Sequence, residues 1–301
     1  IKLKKIKKKK KFNKNEKILN QIPEKLEKIR EITPLTECIT NIVTVNDCAN
    51  AVLAIGGSPV MTEESEEIED FVKISDVVVI NIGTTNKNQI KAMKIAAECA
   101  NKINTPVVID PVGVGIGDLR NNIVLDLLEF NIAAIRGNMS EIKAIAKLKG
   151  ILDDNNTAKG VDVCLDDVVS EENLKENGEL IKTLADKLNT VIIASGKIDI
   201  ISDGKTTIAI KNGDDMMPLI TGSGCMLTSI LGTCISVGDV LAGSLIAILA
   251  MNIAGEKARA KVDELDLGTG SFRTFLIDYL SKTDSNALIS KADIVILWML
   301  K

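Results

Sequence analysis

Four short aliphatic runs, each closed by turn-forming residues, constrain this chain more than any other feature. Residues 76–83 contain Val77-Val78-Val79-Ile80 and residues 105–110 contain Pro106-Val107-Val108-Ile109, while 131–136 and 190–194 repeat the pattern. A strand covered on both faces shows no polar alternation, so runs of this kind belong to a parallel sheet layered with helices. The composition agrees, since 46% of the residues are hydrophobic but only 2% aromatic, which leaves a core of Ile, Val, Leu and Ala. Helical periodicity fills the intervals, over 45–55 up to the paired glycines Gly56-Gly57, over 88–101 and over 180–188. The alternation predicts an α/β fold with a mainly parallel central sheet flanked by helices.

The segments between are read more coarsely. Residues 15–32 are polar and helical beyond Pro23, and Pro34 to Asn41 is a turn-rich passage before the next helix. Residues 58–61 form a short strand, and 198–202 with 206–210 alternate around Asp203-Gly204 as a hairpin. Residues 150–178 are polar and irregular, and a last helical region covers 272–280. The apolar run 240–254 contains Ser244 and Asn252 and is short for a bilayer, so it reads as a buried helix and no membrane contact is expected.

Charge and composition exclude several functions. The net charge is −4 over 301 residues, and eight of the first eleven residues are lysine, so the body is more acidic than the total. A nucleic-acid-binding body needs a basic face, so none is expected. Residues 1–14 are expected to be a solvated, disordered tail, with one domain over 15–301. No continuous apolar stretch follows the basic segment, so the chain is expected in the cytoplasm. The cysteines at 38, 48, 99, 164, 225 and 234 lack paired spacing, which argues against a zinc site or a disulfide framework. There is no histidine, which removes Ser-His-Asp and Cys-His hydrolases and histidine-ligated zinc enzymes together.

Ligands in open α/β sheets bind beyond the carboxyl ends of the strands. Asp110 closes one run before Pro111-Val112-Gly113, Arg136 closes another, and Ser195-Gly196 follows a third. Asp110 reads equally as a turn aspartate, and Glu141, three residues after Asn138, reads as half of a capping box. Gly222-Ser223-Gly224-Cys225 opens an apolar helix. Inward-facing N–H groups and the helix dipole make it an anion hole, and the same field would favour the thiolate of Cys225; a tight connection beside a core cysteine has the same pattern. Two carboxylates, a guanidinium, a hydroxyl and an anion hole are the parts needed for phosphoryl transfer, with Mg²⁺ held by one or two carboxylates partly through water. The glycine loop lacks the Gly-x-x-x-x-Gly-Lys-Ser/Thr pattern.

Several motifs together resemble the hydroxyethylthiazole kinases. They are Cys38-Ile39-Thr40-Asn41, Ala54 to Met61, Asn81-Ile82-Gly83-Thr84, Asp110-Pro111-Val112-Gly113, Ile135-Arg136-Gly137-Asn138 with Glu141, Lys159-Gly160-Val161-Asp162, Thr221 to Cys225 and Gly268 to Phe272. The resemblance spans about 33–280 and implies a ribokinase-like layered fold. It implies ATP-dependent phosphorylation of the alcohol of 4-methyl-5-(2-hydroxyethyl)thiazole, in thiamine biosynthesis or salvage, by a homotrimer with active sites between subunits. By position, Asn41, Met61 and Gly83 would border the thiazole and Gly222 would contact substrate at the anion hole formed with Ser223 and Gly224. Arg136 and Ser195 would contact ATP phosphates, and Asp110 and Glu141 would hold Mg²⁺. Cys225 would take the place of the aspartate base of related kinases, as an aligner and weak base.

Three departures stand out. Glu37 occupies a position usually held by histidine, which would add negative charge near the thiazole pocket; Ser195 replaces a threonine; Ile116-Gly117 alter the loop after Gly113. Rival readings are a ribokinase-like kinase for a hydroxymethylpyrimidine or pyridoxal, which would carry Gly-x-Gly-Asp, an ATP-dependent dehydratase on the same fold, and a non-catalytic nucleotide-binding module.

Overall fold

A computed structural model describes residues 18–152 and 168–299; the lysine-rich segment, Cys164 and the Lys159 to Asp162 motif lie outside the described residues. In chain order the elements are α1 (Ile22–Ile32), β1 (Leu35–Ile39), α2 (Val45–Ile55), β2 (Ser58–Val60), α3 (Ile68–Ile74), β3 (Val77–Asn81) and α4 (Lys87–Ile103). Next come β4 (Val107–Asp110), α5 (Asp118–Leu127), β5 (Ala134–Asn138), α6 (Met139–Leu148), α7 (Leu174–Leu188), β6 (Val191–Ser195), β7 (Asp199–Ser202) and β8 (Thr206–Ile210). The chain continues through α8 (Ser223–Ile235), α9 (Val240–Glu264), α10 (Thr269–Ser281), α11 (Ser285–Lys291) and β9 (Ile294–Met299).

Among the described residues nine strands form one sheet in the order β2-β1-β3-β4-β5-β6-β7-β8-β9. The first six are parallel, and β6 to β9 pair antiparallel. One apolar layer contains residues of α1, α2, α8, α9, α10 and α11; the other contains residues of α3 to α7. The mainly parallel sheet flanked by helices is as expected, and so is the hairpin of β7 and β8. The apolar run near 240–254 is the first part of α9, the one described helix long and apolar enough to cross a membrane, and 78% of its most apolar window is buried inside the protein.

Four expectations need correction. The passage after Pro34 is not mainly turn: Leu35 to Ile39 is strand β1, inserted between β2 and β3. Its polar residues concealed it, because their burial is supported from elsewhere; Thr36 Oγ1 bonds Thr233 Oγ1 of α8 at 2.9 Å. The third strand starts at Ala134 rather than Asn131 and runs through Gly137 and Asn138, since these pair with Ala194 and Ser195 of β6. Helix α7 begins at Leu174, inside the segment read as irregular. Residues 272–280 are not the last element, because α11 follows and β9 extends the sheet against β8.

Glu37 also departs from expectation. Successive strand residues face opposite sides, so it shares the face of Ile39, away from Thr36 and Cys38. Its side chain is fully buried and neither carboxyl oxygen makes a hydrogen bond of normal geometry. Burial therefore pushes its pKa from 4.5 to about 8, with the charge of Glu67 adding to the rise and the backbone of Thr62 and Cys38 only partly opposing it. The negative charge expected at this position is largely absent at neutral pH.

The consequence for stability has a definite sign. A carboxyl raised in the folded state binds its proton more tightly there than in the unfolded chain, so stability falls as pH rises from about 4.5 through about 8. Glu37→Gln removes that dependence. Thermal melts should show the melting temperature of Glu37→Gln, relative to the natural chain, rising by about 5 °C between about pH 6 and about pH 9; a difference independent of pH would contradict a buried, protonated Glu37.

Candidate active site

The candidate residues converge where they would in any parallel sheet, beyond the carboxyl ends of the strands. Asn81 ends β3, Asp110 ends β4, Ser195 ends β6, and Asn81 stands directly opposite Asp110 in the strand register. Asn41 follows β1, and the first turn of α8 brings Cys225 to the same place. Gly222 caps that helix with φ of 83°, in the left-handed region that favours glycine, and its carbonyl accepts the first helical bond from Met226 N at 2.8 Å.

Asn81 is the hub. Its Nδ2 donates to Asp110 Oδ2 at 3.0 Å and to Cys225 Sγ at 3.2 Å, while its Oδ1 accepts from Asn41 Nδ2 at 3.2 Å and Gly83 N at 2.9 Å. Both donors and both lone pairs of the amide are used, which fixes its orientation. Asn41 Nδ2 also donates to Cys225 Sγ at 3.2 Å. The sulfur is thus held by two amides. Gly83 sits so close that a Cβ on it would lie 2.9 Å from Asn41 Cβ.

Asp110 is almost fully buried. Its Oδ2 accepts from Thr228 Oγ1 of α8 at 2.7 Å and lies 3.8 Å from Arg136 Nη1, while Oδ1 has no partner. Arg136 Nη2 also bonds Ser195 Oγ, and its Nε is buried and unpartnered. A Cβ on Gly224 would meet Arg136 Nη1 at 2.5 Å, so only glycine lets the guanidinium lie against the start of α8. A cation and the positive end of a helix, brought together with unsatisfied donors, make a strong anion site. Ser223 and Gly224 belong to that first turn, where N–H groups have no partner within the helix.

Glu141 fulfils the capping-box reading. Its Oε2 accepts from Asn138 N at 2.8 Å, and the Asn138 side chain accepts from Glu141 N at 2.9 Å. Its Oε1 accepts from Gly113 N at 2.9 Å, which binds the loop after β4 to α6. Burial first, and then the charge of Asp110, raise its pKa to about 7 against these backbone donors. Asp110 is raised too, by burial, against the opposing influence of Arg136, Thr228 and Asn81. The donor set fits Mg²⁺. One buried carboxylate oxygen is free, a second carboxylate stands close by, and among the described residues no cluster of three or more His, Cys, Asp or Glu could form a complete cage; Mg²⁺ prefers such a set, completing its shell with phosphate and water.

The helix field that favours a thiolate at Cys225 is outweighed. Burial, then the charges of Asp110 and Cys48, push its pKa from 9.0 to about 11, against Thr44 and Asn41. That rise disfavours the thiolate by about 3 kcal/mol, whereas a helix end supplies about 0.3–1 kcal/mol. Desolvation wins. Met61 follows β2, two strands from β3, and is a partly buried residue packed against the apolar layer that contains residues of α8.

The sequence reading places Asn81 only within the Asn81-Ile82-Gly83-Thr84 motif, without a role of its own, and does not name Thr228. Asn81 had a signal, a lone amide closing an all-aliphatic strand; Thr228 had none, as a small polar residue in an apolar helix.

The family model for the hydroxyethylthiazole kinases matches residues 26–286. The chain belongs to the hydroxyethylthiazole kinase family. It is 60% identical over 283 residues to a hydroxyethylthiazole kinase of Methanobrevibacter smithii, covering 94% of this chain and 99% of that protein. The solved hydroxyethylthiazole kinase of Pyrococcus horikoshii is 32% identical with a TM-score of 0.81, covering 92% of this chain and 99% of that one. A ribokinase-like superfamily protein of Enterococcus faecalis, 14% identical with a TM-score of 0.52 over 82% of this chain and 86% of that one, shares the fold alone. In this member of the family, Cys225 should react with iodoacetamide at pH 8 several-fold more slowly than a peptide thiol, accelerating with pH toward about 11. Mass spectrometry of the alkylated peptide measures this, and fast labelling at pH 7 would contradict the burial argument.

Proposed function

We propose that this chain transfers the γ-phosphoryl group of ATP to the hydroxyl of 4-methyl-5-(2-hydroxyethyl)thiazole, serving thiamine biosynthesis or salvage. The observation that carries this reading is the Asn81 hub joining Cys225 to Asp110, within a chain 60% identical to a hydroxyethylthiazole kinase over nearly its whole length. The alcohol oxygen bonds to the γ-phosphorus as the bond to the β-phosphate oxygen breaks; ADP leaves with that electron pair, and the alcohol proton is lost late, by way of the transferred phosphoryl oxygens, to water. Arg136, Ser195 and the first turn of α8 hold the phosphate charge, with Gly222, Ser223 and Gly224 around the transferring group. Asp110 and Glu141 hold Mg²⁺, which neutralises phosphate charge. Asn41, Met61 and Gly83 border the thiazole.

Cys225 aligns the substrate hydroxyl. At neutral pH it is a thiol, fixed by the amides of Asn41 and Asn81, so it is a poor proton acceptor. A loose phosphoryl-transfer transition state asks little of a base, which makes orientation the larger contribution. Exposed Ile42, Val43 and Leu219 close to the site support a neighbouring subunit that covers this rim, and the resemblance to the family makes that assembly a homotrimer. We take 15–301 as one kinase domain acting in the cytoplasm, with neither nucleic acid nor membrane as a partner.

Kinases for a hydroxymethylpyrimidine or pyridoxal are disfavoured by Cys225 in place of aspartate. ADP release, coupled to a dehydrogenase and measured with thiazole, pyrimidine and pyridine alcohols, should depend on the thiazole alcohol and on Mg²⁺. Turnover with a pyrimidine alone would overturn the substrate. Cys225→Ser should retain part of the activity and Cys225→Asp retain or raise it, whereas an unchanged rate in Cys225→Ala would remove the cysteine from the mechanism. Asp110→Ala should lower kcat/KM for MgATP by about 100-fold or more; unchanged Mg²⁺ dependence would sink its role.

A further inference from the structure

Arg120 is the third residue of α5, in the turn where the helix dipole disfavours a cation. Among the described residues its guanidinium pairs with no carboxylate. It donates instead to three backbone carbonyls on two different loops. Nη1 reaches Ile82 O at 2.6 Å and Val112 O at 2.5 Å, and Nη2 reaches Gly83 O at 2.5 Å.

These loops leave neighbouring strands and would otherwise be free to diverge. Asn81 and Asp110 are the last paired residues of β3 and β4, beyond which the backbone link is Ile82 N to Asp110 O at 3.2 Å. On one side the chain runs to Gly83, whose N–H is held by the Asn81 side chain; on the other it runs to Gly113, whose N–H is held by Glu141. The Arg120 side chain packs against Gly113, where a Cβ would lie 3.3 Å from its Cδ and Nε. The next residue, Asn121, accepts from Gly115 N at 2.7 Å, so the start of α5 grips this loop twice.

We infer that Arg120 is a positioning residue that sets the spacing between the loop bordering the alcohol, Ile82-Gly83, and the loop following the Mg²⁺-holding carboxylate, Val112-Gly113. The inference rests on the proposed function for what each loop does. It assigns Arg120 no contact with either substrate. A planar fork suits carbonyls lying in different directions, and a lysine ammonium on a flexible stem holds them less rigidly. The nucleotide contacts Arg136 and Ser195 lie on β5 and β6, outside the reach of the clamp. Asp110 keeps its own partners Asn81, Thr228 and Arg136 when the clamp is cut, so the loss falls on alignment of the alcohol far more than on ATP binding.

The test compares the natural protein with Arg120→Gln and Arg120→Lys by steady-state kinetics, varying alcohol and ATP separately, and by hydrogen exchange without substrates. In Arg120→Gln, kcat/KM for the alcohol should fall about 100-fold, with KM for ATP within about threefold of the natural value. Arg120→Lys should recover part of the loss. Amide exchange should accelerate over 82–85 and 112–116 and stay unchanged in β6. A folded Arg120→Gln with an unaltered kcat/KM for the alcohol, or with KM for ATP rising as much as KM for the alcohol, overturns the inference. The exchange experiment needs no turnover: accelerated exchange in a chain inactive on the thiazole alcohol retains the clamp and rejects the substrate, and unaltered exchange rejects the clamp.

Discussion

A carboxylate removed from water at the end of β4 is the constraint around which the candidate site is built. An uncompensated buried charge is costly, and breaking a buried ion pair typically costs about 3–5 kcal/mol. Asp110 is compensated from three elements, by Asn81 of β3, Thr228 of α8 and Arg136 of β5. Each of these groups carries a second task. Asn81 holds Cys225 and Gly83, Arg136 holds Ser195, and α8 presents the glycine loop. The requirement to satisfy one buried acid among aliphatic residues thus orders most of the groups that phosphoryl transfer needs, in a chain with no histidine.

The arrangement is unfavourable in the free protein, and that is informative. Arg136 lies against the positive end of α8 with its Nε unsatisfied, Asp110 Oδ1 lacks a partner, and Glu141 is raised to about 7 by burial and by its acidic neighbour. A phosphate at the guanidinium and helix terminus and a divalent cation at the carboxylates would relieve these defects together. Cys225 differs in kind. Its sulfur is neutral and held by two amides, so its surroundings favour alignment over proton abstraction.

The centre of the fold was legible because β3, β4 and β6 are continuous aliphatic runs, for which burial on both faces is the only economical arrangement. Strand β1 was not, since Thr36 and Glu37 look like surface residues until Thr233 and the apolar layers are known. Both ends of β5 were misplaced because pairing with β6, and not local hydrophobicity, decides where the strand starts and ends. In the site, Asp110, Arg136, Ser195 and the glycine loop could be read from strand-end position and residue chemistry. The charge states of Glu37 and Cys225 could not, because desolvation depends on neighbours distant in sequence. Arg120 was invisible for the same reason, as its partners are backbone carbonyls and carry no residue-specific signal.

The central claim is that one amide, Asn81, links the aligning thiol to the buried carboxylate and so makes a site of separate strand ends. Kinetics of alcohol-dependent ADP release by Asn81→Asp, an isosteric change that replaces the shared donor with an acceptor, test it most directly when paired with a thermal melt of the same protein. The account predicts a folded protein whose kcat falls about 100-fold or more. A folded Asn81→Asp variant with kcat and both KM values within about threefold of the natural chain would contradict it, because loss of the shared donor should misplace both groups.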